Sequence, residues 1–166
     1  MRQAARDRLP LVPGPQRLVA ENLIDADRVV AGQLEQVEEA DEYEPLGGIT
    51  FGLFGAKVVV PLAYNGTLRV DSTLLGHAAS TLAITFFAPR GAVTPQPGQV
   101  AIWVLHRRAL WRLERCSEQQ ALTSAACPYD VGLALDSDED IRPLAEWPTL
   151  RDLVRTLELS PPRGAP

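Results

Sequence analysis

The sequence is poor in cysteine, and its first residues form no long apolar run. It has only two cysteines, Cys116 and Cys127, in 166 residues, whereas small secreted proteins held by disulfides are rich in cysteine. Residues 1–20 lack the continuous apolar core of a signal peptide. We therefore expect reduced thiols and a cytoplasmic location.

The motifs that accompany common kinds of catalysis are missing as well. The sequence has no phosphate-binding glycine loop, no GxSxG turn and no HExxH pair. His106 is near Cys116 in the sequence, but no third group is evident that would orient such a pair. The histidines and cysteines also lack the close spacing of a zinc site. We predict no catalytic residue and no cofactor, and hence a protein that is not an enzyme.

Alternating aspartates at positions 136, 138 and 140 resemble the start of a calcium-binding loop. That motif next requires glycine and later a bidentate glutamate, but Ile141 and Trp147 occupy those positions. Ser137 followed by Asp140 instead matches the capping signal at the start of a helix. The segment therefore predicts a helix start, and we predict no metal site.

Lysine is nearly absent, and the overall charge is acidic. Lys57 is the only lysine among 16 basic residues, and 21 acidic residues leave a net charge of −5. Such a protein is repelled on average by nucleic acid and anionic lipid, so binding either would need a local basic patch. The apolar fraction of 46% is typical of a globular chain and excludes full disorder.

A stretch at residues 46–64 is apolar enough to suggest a membrane helix. Lys57 lies near its centre, Pro61 removes an amide donor, and β-branched residues and glycines are frequent in it. These features favour two consecutive strands over a membrane span. We therefore expect no membrane association.

The N-terminal third predicts an arm followed by one long helix. Prolines near residues 10–15 indicate an extended arm over residues 1–15. A helix is predicted from Gln16 to about Ala40, with Asn22, Asp25 and Asp27 as points where it could divide in two. Its apolar stripe consists of Val19, Leu23, Ala26, Val30, Leu34 and Val37.

The middle of the chain predicts strands. Asn65-Gly66 is a strong hairpin signal because a type I′ turn needs positive φ at both central residues. Further strands are predicted at Thr81–Ala88 and Val131–Leu135. A second hairpin joins Val100–Leu105 to Arg108–Arg115, with a helix over residues 107–118 as the alternative.

The C-terminal helix has the clearest pattern. Thr149 and Asp152 match a capping box, an apolar stripe follows, and residues 160–166 read as a disordered tail. We predict a single α+β domain over residues 16–159. It would have a mainly antiparallel sheet of five or six strands, a long N-terminal helix and a capped C-terminal helix.

The predicted strand at residues 57–64 is apolar on both faces, which suggests that a partner covers one of them. We predict a non-catalytic protein-binding module of accessory, adaptor, chaperone-like or immunity type that associates with itself through this face. An acidic run would help it to select a basic partner. The apolar positions are Val58, Val60, Leu62 and Tyr64, and the acidic ones are Glu38, Glu39, Asp41 and Glu42.

The alternative function is binding of single-stranded nucleic acid. Arginines next to an exposed aromatic ring hold single strands by charge and base stacking. The candidate residues are Trp103, Arg107, Arg108 and Arg112. The competing interpretation is that arginine side chains simply cover the Trp103 ring.

Overall fold

A computed structural model describes residues 2–40, 61–89, 95–112 and 129–159. Within these ranges there are three α-helices and six strands, so the α+β class is confirmed. The helices are α1 (Arg2–Arg6), α2 (Arg17–Asp25) and α3 (Trp147–Thr156). The strands are β1 (Arg28–Glu39), β2 (Pro61–Leu75), β3 (Thr81–Pro89), β4 (Val100–Trp111), β5 (Tyr129–Leu135) and β6 (Ile141–Arg142).

Five of the strands close into a barrel. Their order is β1-β2-β3-β5-β4, and β4 pairs back onto β1. All of these pairs are antiparallel except β3–β5, which is parallel, so the sheet is mixed rather than purely antiparallel. The short strand β6 continues the pairing along β4.

Closure depends on β1, which pairs with two neighbours along the same stretch. Residues 29–33 pair with β2 on one side and with β4 on the other. Three register shifts bend the β1–β2 pair so that β1 reaches both neighbours, and the extra residue is on β2 at two of them (Leu74 and Asp71) and on β1 at the third (Glu35). Gly32 lies at this bend, and a Cβ atom there would be only 2.0 Å from the carbonyl oxygen of Arg69. Only glycine allows this close approach of the two strands.

The barrel interior forms one hydrophobic core. Trp103 is fully buried at 0% exposure, and its indole Nε1 donates a hydrogen bond of 3.0 Å to the carbonyl oxygen of Gly32. This bond gives the buried N–H a partner and ties β4 to the bend of β1. The buried residues of this core are Val30, Leu34, Leu68, Leu82, Ile84, Phe86, Ala101, Trp103, Leu105 and Leu135.

A second core lies between the barrel wall and the helices. Ile102 and Val104 alternate with the interior residues of β4 and pack in this second core with Val29 and Leu75. The helices contribute apolar residues from α2 and α3, together with Ala5 and Val12. Because both faces of β4 are covered, Ala101–His106 is buried without a break.

The predicted long N-terminal helix is wrong. Residues 17–25 are helical, but the chain then becomes strand β1. Val29 and Val30 are β-branched and fit a pleated strand better than a helix, and Gly32 disfavours a helix interior. The helix does end close to Asp27, one of the points where the prediction allowed it to divide, but a strand and not a second helix follows. Residues 2–15, predicted as an extended arm, contain α1 and two 3₁₀ turns.

The predicted hairpin at Asn65-Gly66 is also wrong, because both residues lie inside the continuous strand β2. Gly66 serves packing rather than a turn. A Cβ atom there would be 3.0 Å from Leu34 Cδ1 and 3.1 Å from Ile84 Cγ1. Glycine is therefore needed at this position, because the barrel interior leaves no room there for a side chain.

The later elements agree better with prediction. The strands at Thr81–Pro89 and Tyr129–Leu135 are present. The predicted hairpin within residues 100–115 is instead one strand up to Trp111, with residues 113–115 outside the described ranges. The C-terminal helix is present with its stripe buried, but it begins at Trp147, so Thr149 lies inside its first turn rather than at the cap.

The closed order 1-2-3-5-4-1, with strands 3 and 5 parallel, is the connectivity of the OB-fold. That fold is a small Greek-key barrel used by many unrelated binding proteins. It does not by itself define a function, since function depends on the chemistry of a site. In OB-fold proteins that bind oligonucleotides or oligosaccharides, the binding surface lies on the face of strands 2 and 3.

Replacing Gly32 by alanine should strongly destabilise the barrel. The added methyl group would clash with the β2 backbone, and overpacking of this kind costs about 1–3 kcal/mol. Urea unfolding would measure the change. Gly14→Ala is the matched control, because no atom lies within 4 Å of its added Cβ. Equal unfolding free energies for the two variants would contradict this account of the bend.

Candidate binding groove

The outer faces of β1, β2 and β3 present a continuous array of small and polar side chains. Gln36 pairs with Thr67, and Thr67 pairs with Ala83. One step along, Glu38 pairs with Asn65, which pairs in turn with Thr85. The array follows from strand alternation, because the residues between these positions point into the barrel.

Strands β4 and β5 supply the opposite wall of a groove over this array. The groove has a volume of about 370 Å³, within the range of small-ligand sites. Besides the six residues of the array, Gly66 and Ile84 line it from the sheet side. The residues lining it from the β4–β5 side are Leu110, Asp130, Val131, Gly132 and Leu133.

The groove lies at a fork between β3 and β5. These strands pair only over Ile84–Phe86 and Leu133–Leu135. In the described ranges, Thr81–Ala83 and Val131–Gly132 have no strand partner across the fork. Val131 is 58% exposed there. The fork therefore leaves two segments of strand edge beside the groove.

Hydrogen bonding orders the polar wall of the groove. The Thr85 hydroxyl, which is buried, donates a hydrogen bond of 3.1 Å to the Asn65 side-chain oxygen. Asp130 accepts a bond of 2.7 Å from Arg112 Nε, so its charge is largely compensated. Glu38 is exposed and makes no ion pair with the described residues. Within the described part of the lining, its carboxylate is therefore the charge that no ion pair compensates.

A second polar site is buried where the helices meet the barrel. His106 is 2% exposed and Asp140 is 1% exposed, and His106 Nε2 lies 3.4 Å from Asp140 Oδ1. Asn22 of α2 donates a bond of 2.7 Å to the same oxygen. The backbone N–H groups of Asp136 and Ser137 donate to the other oxygen. We call these residues the His106 centre.

The capping signal in the sequence belongs to this centre. Asp140 ends the 3₁₀ turn Asp138–Asp140 and reaches back to the backbone of Ser137, as a capping box requires. The predicted helix start is therefore present as a short 3₁₀ turn. Its carboxylate has the further role, not predicted, of pairing with the buried histidine.

The two members of the pair have opposite pKa shifts. Burial alone lowers the pKa of His106, but the hydrogen bond to Asp140 and the charges of Asp136 and Asp140 outweigh it, so the pKa is raised above 6.5. Burial alone raises the pKa of Asp140. The bonds from His106, Asn22 and two backbone N–H groups outweigh that effect and lower the pKa below 3.8. Both shifts favour a charged pair in the folded protein.

The His106 centre joins three parts of the fold rather than lining an open site. It connects α2, β4 and the 3₁₀ turn before β6. Among the described residues, His106 Nδ1 has no hydrogen-bond partner, and a carboxylate oxygen of Asp136 lies 3.9 Å from it. In the described residues, no three metal-ligating side chains come together. This geometry fits a structural role.

Of the residues predicted for a protein interface, Glu38 lies in the groove and the neighbouring Glu39 does not. Leu62 and Tyr64 are half-buried in β2, and the Tyr64 ring stacks on Phe86 at 5.4 Å. The other predicted interface residues, Val58, Val60, Asp41 and Glu42, lie outside the described ranges, as do Cys116 and Cys127.

The residues predicted for nucleic-acid binding do not form one patch. Trp103 is in the barrel core, so it offers no stacking surface. Arg108 makes a bidentate ion pair with Asp136, and Arg112 pairs with Asp130. Arg107 is exposed. The structure therefore separates the aromatic ring from the arginines and neutralises two of them.

A scan against protein-family models and a search of curated proteins give no match to this sequence. None of the helices in the described ranges has the length and apolar character that crossing a membrane requires.

Sequence reasoning missed the groove because its residues come from five strands that are adjacent only in the barrel. Gln36 and Glu38 were assigned to a helix, and Asn65 and Gly66 to a turn, so their common face was hidden. One signal was available. Alternation of Asn65, Thr67 and Arg69 with Gly66 and Leu68 indicates a strand that continues through the Asn-Gly pair.

The His106 centre should make stability fall as the pH rises above 6.5. The pKa of His106 is higher in the folded state than in the unfolded state, so its protonation stabilises the fold. This contribution is complete below pH 6.5 and is lost as the pH rises through the folded-state pKa. The lowered pKa of Asp140 acts oppositely: its contribution is present above 3.8 and is lost on acidification through the folded value. Urea midpoints measured on both sides of pH 6.5 would show the decline.

The matched variant is His106→Gln, which keeps a polar side chain but cannot become charged. Its urea midpoint should change less with pH across the same range. An identical pH dependence in both proteins would exclude His106 as the source.

Proposed function

We propose that the protein is a non-catalytic protein-binding module whose partner docks in the groove between β3 and β5. The observation that carries the proposal is the fork, where a groove of about 370 Å³ lies beside strand edges that have no described partner. Strand edges bind other chains by adding a strand, a common mode of peptide recognition. The site needs no reacting group to work in this way.

The chemistry of the lining also favours a protein partner. The array offers an amide group from Gln36 and a hydroxyl group from Thr67, which suit hydrogen bonds to a peptide. Ile84, Leu110 and Leu133 add an apolar part. A mixture of apolar surface with a few polar groups is typical of specific binding sites. The buried His106 centre lies apart from this surface and keeps its structural role.

A second candidate is binding of single-stranded nucleic acid, and the OB-fold connectivity favours it. Such sites combine a basic groove with exposed aromatic rings. Here the described groove lining contains no lysine, arginine or aromatic residue, and the net charge is −5. Charge and lining both favour the protein partner, so we rank nucleic acid second.

Self-association remains part of the proposal, with a second copy of the chain as one protein partner. The apolar face that suggested it is smaller than expected, because Tyr64 packs against Phe86. Light scattering over a range of concentrations would separate this case from a foreign partner. A dimer that Ala83→Arg dissociates would place the second copy in the groove.

Ala83→Arg should abolish binding through the groove. Ala83 is an exposed residue of the lining, so a long charged side chain would fill the groove without disturbing the core. Peptides selected from a random display library on the wild-type protein should bind this variant at least about tenfold more weakly, or about 1.4 kcal/mol. Fluorescence anisotropy with the labelled peptides would measure the change.

Ser72→Arg is the matched control, since Ser72 is also an exposed, small strand residue but does not line the groove. Binding that is equally strong in wild-type and both variants would refute the groove as the site. Displacement of the peptides from the wild-type protein by oligothymidylate would favour the nucleic-acid candidate.

A further inference from the structure

We infer that the groove accepts a basic peptide segment in extended conformation, added as a strand at the fork between β3 and β5. This inference rests on the proposed function and specifies the class of partner. It depends on three features of the site: the strand edges at the fork, the small exposed side chain of Ala83 beside them, and the sign of the charge.

The first feature is the pair of strand edges. Thr81–Ala83 is hydrogen-bonded to β2 on one side, and Val131–Gly132 is paired with β4. Neither segment pairs across the fork in the described ranges. An added strand would hydrogen-bond its backbone to one of these edges, and backbone bonding of this kind supplies affinity with little dependence on sequence. Extended conformation is therefore required of the bound segment.

The second feature is space for that backbone. Ala83 is an exposed residue of β3 that lines the groove beside the fork, and alanine is the smallest chiral residue. Gly66 and Gly132 also line the groove, but their missing side chains do not open it, because an added Cβ would lie 3.0 Å from Leu34 Cδ1 at Gly66 and 2.6 Å from Leu110 Cδ1 at Gly132. The groove is therefore open above Ala83, where a second backbone has room to approach β3.

The third feature is charge. Glu38 contributes an exposed carboxylate without a described ion-pair partner, and Asp130 adds a second carboxylate whose charge Arg112 compensates. No lysine or arginine is in the described lining. The described lining therefore carries net negative charge, and the protein as a whole has a net charge of −5. A basic segment is attracted, whereas an acidic segment or a phosphate backbone is repelled.

The test uses a random heptapeptide display library selected on the wild-type protein. The enriched peptides should carry net positive charge and little proline, because proline cannot complete backbone pairing. In one selected peptide, the backbone nitrogens of the odd-numbered and of the even-numbered residues would be methylated in separate variants. Methylation should weaken binding in one set and not in the other, because a strand pairs along only one of its edges. Binding constants would come from fluorescence anisotropy.

Charge is tested with Glu38→Lys against Glu39→Lys. The two variants make the same change at adjacent exposed residues of β1, but only Glu38 lines the groove. We expect Glu38→Lys to weaken binding of a selected basic peptide about tenfold and Glu39→Lys to change it less than about threefold, a difference that should shrink at high salt.

The outcomes separate this inference from the proposal on which it rests. Peptides that Ala83→Arg blocks but that show no charge preference, or bind Glu38→Lys normally, would overturn the basic partner and leave the groove as a protein-binding site. Insensitivity to backbone methylation would overturn strand addition in the same way. Selected peptides that bind normally to Ala83→Arg would overturn both.

Discussion

The fold depends on the bend of β1 at Gly32. This strand pairs with β2 and β4 over the same five residues, and that double pairing converts an open sheet into a closed barrel. The bend needs a residue without a side chain, since the β2 carbonyl at Arg69 occupies the space. The Trp103 indole then bonds to the Gly32 carbonyl from the interior. The contact between Trp103 and Gly32 therefore serves both the packing of the core and the closure of the barrel.

The helices and the groove use different parts of the barrel wall. The helices cover Ile102 and Val104 on β4, and the His106 centre fastens α2 to that side. The outer face around Thr67 and Ala83 has no helix over it in the described ranges. The helices thus pack on one part of the barrel wall, whereas the proposed binding surface lies on another. Substitutions in the groove should consequently be separable from substitutions that unfold the protein.

Sequence patterns correctly predicted the elements that bury a single, regular face. The stripe of α3 and the strand Thr81–Pro89 each bury one clear face, so periodicity identified them. The segment from residue 28 to residue 39 was assigned to a helix because Gly32 leaves a spacing of four between Val30 and Leu34, and the register shift after Leu34 leaves a spacing of three to Val37. Gly66 was assigned to a turn because an Asn-Gly pair gives the same local signal whether its glycine serves a turn or close packing. The groove could not be predicted, since it requires the barrel order.

Barrel closure also constrains the order in which the chain can fold. Strands β1 to β3 are joined in sequence, and they can pair as soon as they are synthesised. The bond from Trp103 to Gly32, however, joins residues 71 positions apart, and the parallel β3–β5 pair needs residues near the end of the barrel sequence. Contacts of such long range slow folding. A nascent chain must therefore carry an unclosed three-stranded sheet, with apolar residues such as Leu34 and Ile84 uncovered, until β4 and β5 have left the ribosome.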